Sequence, residues 1–343
     1  MANLQKYFKG FHDAIKLEYD DNKELRDKRD ELINFLRENM PKDACPFETF
    51  NQGSYSMFTG IKPIDDGDYD IDVALLFNLS KDDYPNPIIV KKWVHDSICM
   101  GYDDVEMKKP CVTVKFESGD RKYHVDFAIF SKENQDNNTY MAKGKLHSTP
   151  ENRCWEHSAP EKLVNDIKGF PIDAQDREQF RRVIRYMKRW KDNKFKGQVN
   201  RPSGIGLTVA GLTHFQSKYT FEFFANTRTY NDLDALEIFV QNMLNSFISV
   251  LDDDLEWEDR LRVFLPTPPY NDIYGKMTGN QMAHFKEKLE CLLEKLQNAK
   301  VEMDPVVACE LLAEEFGDDF PIPETATTAQ KRGPSIIIDN SSA

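Results

Sequence analysis

The chain reads as an α+β protein: a mixed, twisted sheet with helices in its first half, a helical lobe in its second, and a cleft between them. Three observations predict this. Strand-type runs at Tyr69–Phe77, Val112–Phe116 and Tyr123–Phe130 fall within the first 130 residues and alternate polar with apolar or turn wholly apolar. Apolar residues at helical spacing fill residues 1–40 and recur from Asp176 onward. Between them, Asn134–Pro160 is polar and irregular, as a lobe boundary would be. The chain thus divides into residues 1–155, residues 156–320 and a flexible tail, 321–343.

At 343 residues the chain can bury a core large enough for two lobes. Its formal charge of −13 argues against tight binding of long nucleic acid, which draws most of its affinity from neutralised phosphates. No apolar run approaches the ~18 residues of a membrane span, and the N-terminal residues lack a signal-peptide core; a cytoplasmic protein is expected. The six cysteines show no Cys-x-x-Cys spacing, so buried free thiols are expected. His147, Cys154 and His157 are possible zinc donors, but no fourth donor is evident.

Residues 1–40 form two helices, with Tyr7, Phe8, Phe11 and Ile15, then Leu25, Leu32, Ile33 and Leu36, on their apolar faces. Pro41 and Pro46 end that pattern. The stretch Phe50–Phe77 follows. Gly53 allows backbone to approach a ligand closely, and the Ser54 hydroxyl can donate to a phosphate oxygen, with Gln52 and Asn51 adding polar reach. In the strand Tyr69–Phe77, Asp70 and Asp72 point to one face and Ile71 and Val73 to the other. Like charges about 4 Å apart repel by roughly 4 kcal/mol at an effective dielectric of ~20. A divalent cation removes that cost, and hard oxygen donors suit Mg²⁺ (or Mn²⁺), which fills its other positions with water and substrate phosphates. After a helix at Ile88–Met100, a hairpin turning at Glu117–Asp120 brings in a third acid, Asp126, on a strand otherwise apolar and aromatic. Three carboxylates on two strands match a two-metal site for in-line displacement.

In the second lobe, Phe180, Val183, Ile184, Met187 and Trp190 line one face of a helix over Asp176–Phe195, and Arg181, Arg185 and Lys188 form a cationic stripe on another. Ser203 is placed to cap a further helix. Helical patterns continue over Leu233–Val250 and Gln281–Leu296, and the acidic run Asp252–Asp254 reads as a loop. From Pro321 the composition is that of a flexible tail, apart from Ile336–Ile338.

The Gly-Ser turn, the Asp-x-Asp strand and the third Asp on a later strand resemble the polymerase-beta-like nucleotidyltransferases. NQGSYSMFTGIKPIDDGDYDIDVALLF, YHVDFAIF, RRVIRYMKRWK and RPSGIGLTVAG together resemble the bacterial cGAS/DncV-like enzymes (CD-NTases) of CBASS anti-phage systems. That resemblance implies a polymerase-beta-like core, with Asp70, Asp72 and Asp126 as catalytic residues and ligands of two metal ions. It implies Gln52, Gly53, Ser54, Lys188 and Ser203 as nucleotide contacts, Lys188 on the donor triphosphate with Arg185 in reserve. ATP and other nucleoside triphosphates would be the substrates and a cyclic di- or trinucleotide second messenger, read by a separate effector, the product. Tyr270 or Asp272 of a Pro-rich passage could touch a base. In some members a ubiquitin-like ligase conjugates the C-terminus, here Ala343. Linear polymerisation, nucleotidyl transfer to a protein or antibiotic, and an inert nucleotide-binding scaffold remain as alternatives.

Overall fold

The two N-terminal helices form where their periodicity places them but face different cores. A computed structural model describes residues 3–17, 19–64, 67–119, 121–199, 201–251 and 255–324. Helix α1 (Gln5–Ile15) buries Phe8, Phe11 and Ile15 among residues of the second lobe, whereas α2 (Tyr19–Asn39) buries Leu25, Leu32, Ile33 and Leu36 against the sheet. Only α2 backs the sheet as a lead-in would; α1 is built into the helical lobe.

The sheet contains β1 (Phe47–Asn51), β2 (Tyr69–Phe77), β3 (Asp104–Met107), β4 (Val112–Ser118) and β5 (Arg121–Ser131) in the order β1-β2-β5-β4-β3, extended by β6 (Tyr140–Lys143) and β7 (Cys154–His157). It is mixed, because β2 and β5 run parallel while the other neighbours are antiparallel. Ile71, Val73, Leu75 and Phe77 of β2 and Tyr123, Val125, Phe127 and Ile129 of β5 face α2 and α4 (Pro87–Ile98) in one buried cluster. Their period-2 partners point the other way, where Ala74, Leu76, Ala128 and Phe130 form a small second cluster. Burying a large apolar side chain contributes roughly 1.5–3 kcal/mol, so the register is strongly held. A one-residue slip of β5 would turn Asp126 into the apolar cluster. A single-turn helix, α3 (Gly53–Ser56), links β1 to the approach to β2.

The second lobe comprises α5 (Pro160–Gly169), α6 (Ala174–Lys194), α7 (Gly204–His214), α8 (Asp232–Asn245), α9 (Gly279–Val301) and α10 (Pro305–Phe316). It also carries two hairpins, β8 (Tyr219–Glu222) with β9 (Thr227–Tyr230) and β10 (Phe247–Leu251) with β11 (Trp257–Leu261). The helix expected to run from Leu233 to Val250 therefore stops at Asn245. Phe247-Ile248-Ser249-Val250 is aromatic and β-branched, and pairing with Trp257–Leu261 outweighs the continuing helical spacing. The acidic run Asp252–Asp254, Ile336–Ile338 and Ala343 lie outside the described residues. Among those described, no helix is long and apolar enough to cross a membrane.

A buried polar network ties α6 to α8 and α1. The fully buried Asp232 carboxylate accepts from Arg182 Nε (2.7 Å) and Nη2 (2.8 Å), Gln179 Nε2 (3.2 Å) and the Tyr186 hydroxyl (3.0 Å), while its own backbone N–H donates to Gln5 Oε1. Burial works to raise its pKa, but the bonds and charge of Arg182 outweigh this and hold the carboxyl below its ordinary value. Removing one partner of such a pair strands the other. Asp232→Ala should lower stability by about 3–5 kcal/mol, read as a large drop in urea midpoint; an unchanged midpoint would contradict this.

Candidate active site

Parallel pairing of β2 with β5 sets Asp72 opposite Asp126 and Asp70 opposite His124. Because β-strand side chains alternate, this puts Asp70, Asp72 and Asp126 on the face turned away from the main sheet cluster. One carboxylate oxygen from each lies within 4.8 Å of the others. Among the described residues no other set of three acidic, histidine or cysteine donors converges in this way, so His147, Cys154 and His157 form no such group.

The electrostatics of the triad match a cation-binding donor set. Burial, then the neighbouring acids Asp70 and Asp126, push Asp72 up to about 8; burial and Asp126 raise Asp70. Asp126 goes the other way. Burial would raise it, but hydrogen bonds from His124 and Thr113 and the charges of His124 and Lys108 hold it below its ordinary value. Both bonds reach Oδ1, from Thr113 Oγ1 (2.5 Å) and His124 Nε2 (2.9 Å). Two carboxyls that resist ionising, beside a third that is held charged, are what a divalent ion with hard oxygen ligands would stabilise.

The Gly-Ser turn abuts this triad. Gly53 adopts φ +73°, and a Cβ there would overlap Asp72 Oδ2, so both its conformation and its closeness to the acid require glycine. The Gln52 N–H donates to the Asp72 carbonyl (3.2 Å), and the Ser54 carbonyl accepts from the Thr59 N–H (3.0 Å). The Ser54 hydroxyl makes no hydrogen bond among the described residues. Asn51 is turned elsewhere: its Oδ1 accepts from Arg29 Nη1 at 2.7 Å.

A cavity of about 950 Å³ opens here between the lobes, lined by Gln52, Gly53, Ser54, Asp70, Asp72, Lys188 and Ser203. Lys188 is buried, its Nζ donating to the Thr59 carbonyl and Oγ1, both at 3.0 Å. Burial, then Lys191 and Arg185, lower it to about 7. Ser203 caps α7, its Oγ accepting from the Gly206 N–H at 3.1 Å. Lys191, Lys196 and Arg201 also line the cavity, and sequence reading passed over all three. Lys191 lies one turn beyond Lys188 and Arg201 two residues before Ser203, so only the placement of those neighbours could have signalled them. The Pro-rich passage stays outside the lining. Asp272 Oδ1 accepts from the backbone N–H groups of Val263 and Tyr274, and Tyr270 is exposed.

The Asp72 shift has a definite sign. A carboxyl whose folded-state pKa is raised favours folding below the ordinary carboxylate range and loses that contribution as pH climbs through about 8. Without divalent ions, Asp72→Asn should therefore raise the melting temperature more at pH 9 than at pH 5. An increment that does not change with pH would count against this repulsion.

Residues 47–130, which contain the turn and all three acids, match the family model of the "Cyclic GMP-AMP synthase DncV-like, nucleotidyltransferase domain". Over 180 residues the chain is 30% identical to a cyclic GMP-AMP synthase of Escherichia albertii, a segment covering 49% of this chain and 37% of that protein. The fold is similar to that of the DncV cyclic AMP-GMP synthase of Vibrio cholerae, with a TM-score of 0.67 at 16% identity over 93% of this chain and 97% of that one. It is equally similar to CdnC of E. coli MS115-1, solved with ATP, with a TM-score of 0.67 at 16% identity over 92% and 98% of the two chains. Residues 47–130 thus match a DncV-like nucleotidyltransferase domain, and the fold along nearly the whole chain is similar to that of DncV and CdnC, while the chain spans well under half the length of the curated relative it matches.

Proposed function

We propose that this chain joins nucleoside triphosphates into a cyclic di- or trinucleotide, releasing pyrophosphate at each step. The observation that carries the reading is the convergence of Asp70, Asp72 and Asp126 within 4.8 Å beside the Gly53 turn, at a cavity with a cationic wall. Two Mg²⁺ or Mn²⁺ ions held by these three acids would lower the pKa of the acceptor hydroxyl and stabilise charge on the departing pyrophosphate. The E. coli relative is solved with ATP, which supports ATP as one substrate here.

The rest of the chemistry falls to side chains of the cleft. Gly53 lets backbone approach the donor phosphates, and the Ser54 hydroxyl donates to a phosphate oxygen. Lys188, with Lys191 and Arg201 on the same wall, offsets the triphosphate charge. An anion beside Lys188 favours its protonated form, so the nucleotide itself would restore the charge that burial removes. The acceptor oxygen then bonds to the donor α-phosphorus as the bond to the β-bridging oxygen breaks. The hydroxyl proton passes to Asp126 or to water. Repeating the step within the linear product closes the ring. We assign the messenger to anti-phage signalling through a separate effector, on the family resemblance alone.

The test is incubation of the purified chain with labelled nucleoside triphosphates and Mg²⁺ or Mn²⁺. The expected product is phosphatase-resistant and lacks free termini by mass, and Asp70→Ala with Asp72→Ala should cut pyrophosphate release by about a thousandfold, several kcal/mol of transition-state stabilisation. Products wholly sensitive to phosphatase would mean linear synthesis. Wild-type release from the double variant would mean that the chemistry sits elsewhere.

A further inference from the structure

The cationic stripe of α6 is spent largely on another part of the chain. Four carbonyls of the segment that leaves the Gly-Ser turn are held from this helix. Arg185 Nη2 donates to the Phe58 carbonyl (2.6 Å), Lys188 Nζ to that of Thr59 (3.0 Å), Arg185 Nε to that of Gly60 (3.1 Å) and Arg189 Nη2 to that of Lys62 (2.9 Å). The Arg181 guanidinium lies 4.6 Å from the centre of the Phe58 ring. Phe58 sits at φ +57°, a backbone region costly for an aromatic residue, so the segment needs outside support to keep this shape.

Arg185 is the centre of this grip. Its third donor, Nη1, lies 3.0 Å from His12 Nε2 of α1, and burial followed by the Arg185 charge lowers His12 to about 4, leaving a neutral ring able to accept. Among the described residues Arg185 forms no ion pair with a carboxylate. A half-buried guanidinium satisfied by carbonyls and a neutral imidazole gains little as a stability device, because no carboxylate offsets the desolvation of its charge. Its geometry does have a consequence. The held segment is bonded back to the turn through the Thr59 N–H to the Ser54 carbonyl, while Lys188 stands one helical turn beyond Arg185. The two ends of the cavity wall are thereby set from one residue.

We propose that Arg185 is a positioning residue that fixes the Gly53-Ser54 turn of the first lobe at a set distance from Lys188 of the second. It acts through the Phe58 and Gly60 carbonyls and does not touch the nucleotide. The role in turnover rests on the nucleotidyltransferase reading; the grip on the turn does not.

Arg185→Ala and Arg185→Lys would be compared with the unsubstituted chain for ATP kinetics, Mn²⁺ affinity and amide hydrogen exchange over residues 53–62. Small misplacements of a binding group are costly, so Arg185→Ala should raise KM for ATP about tenfold or more. Mn²⁺ affinity should stay within about twofold of the unsubstituted chain, since the triad is untouched. Millimolar guanidinium should restore part of the loss in the Ala variant and none in the Lys variant. Exchange over 53–62 should quicken in Arg185→Ala while α9 and the central strands keep their protection. Unchanged KM, or loss of Mn²⁺ affinity in parallel with KM, would overturn the proposal. If the unsubstituted chain consumed no triphosphate, the nucleotidyltransferase reading would fall and exchange alone would decide: faster exchange supports the grip, unchanged exchange refutes it.

Discussion

Repulsion among three carboxyls that one strand register forces together is the constraint on which the site depends. Asp72 and Asp126 sit opposite each other in a parallel pair, and Asp70 lies two residues away on the same face. Nothing in the apolar packing asks for them there. The clusters beneath β2 and β5 are complete with Ile71, Val73, Val125 and Phe127; the acids lie on the opposite face, where Asp70 and Asp72 line the cleft. The fold supplies rigidity on one face of the sheet, and that rigidity keeps the carboxyls from moving apart. Burial first and the neighbouring acids second raise Asp70 and Asp72, while hydrogen bonds from His124 and Thr113 hold Asp126 low.

Helix α6 links this constraint to the second lobe. One face packs Phe180, Val183, Ile184, Met187 and Trp190 into the helical core, and Arg182 of the same helix holds buried Asp232. Another face presents cations to the segment behind the Gly-Ser turn and to the cavity. A single rigid element thus carries the core of one lobe and the positive wall of the cleft, while α1 crosses to pack beside it. Since Lys188, Lys191, Lys196 and Arg201 line the cleft, the net charge of −13 says little about what it can bind.

Much of this was legible in the residues themselves. Period-2 alternation in YDIDV and YHVDF showed which acids share a face, and the wholly apolar ends of those strands showed that they are buried. Placing Asp126 beside Asp72 was a different matter, because the register of parallel strands 54 residues apart is set by packing and leaves no mark in either strand. The stripe Arg181, Arg185 and Lys188 was visible as a pattern, but its partner was not. A cation facing solvent, a phosphate or a row of carbonyls carries the same spacing. The hairpin at Phe247–Leu251 was hidden by apolar residues that suit a helix or a strand, which only the pairing with Trp257–Leu261 decides. The residues Lys191, Lys196 and Arg201 were obscured in the same way, since a basic residue reveals its role only once the cavity wall exists.

Binding of Mn²⁺, followed by electron paramagnetic resonance in the presence of a non-hydrolysable ATP analogue, tests the carboxyl cluster most directly. If Asp70, Asp72 and Asp126 share the ions, the unsubstituted chain will show saturable binding that weakens when Asp126 alone becomes Asn, although that residue is on a different strand from the other two. Binding that survives Asp126→Asn at wild-type affinity would show that the third acid is a bystander and that the site is not the one described.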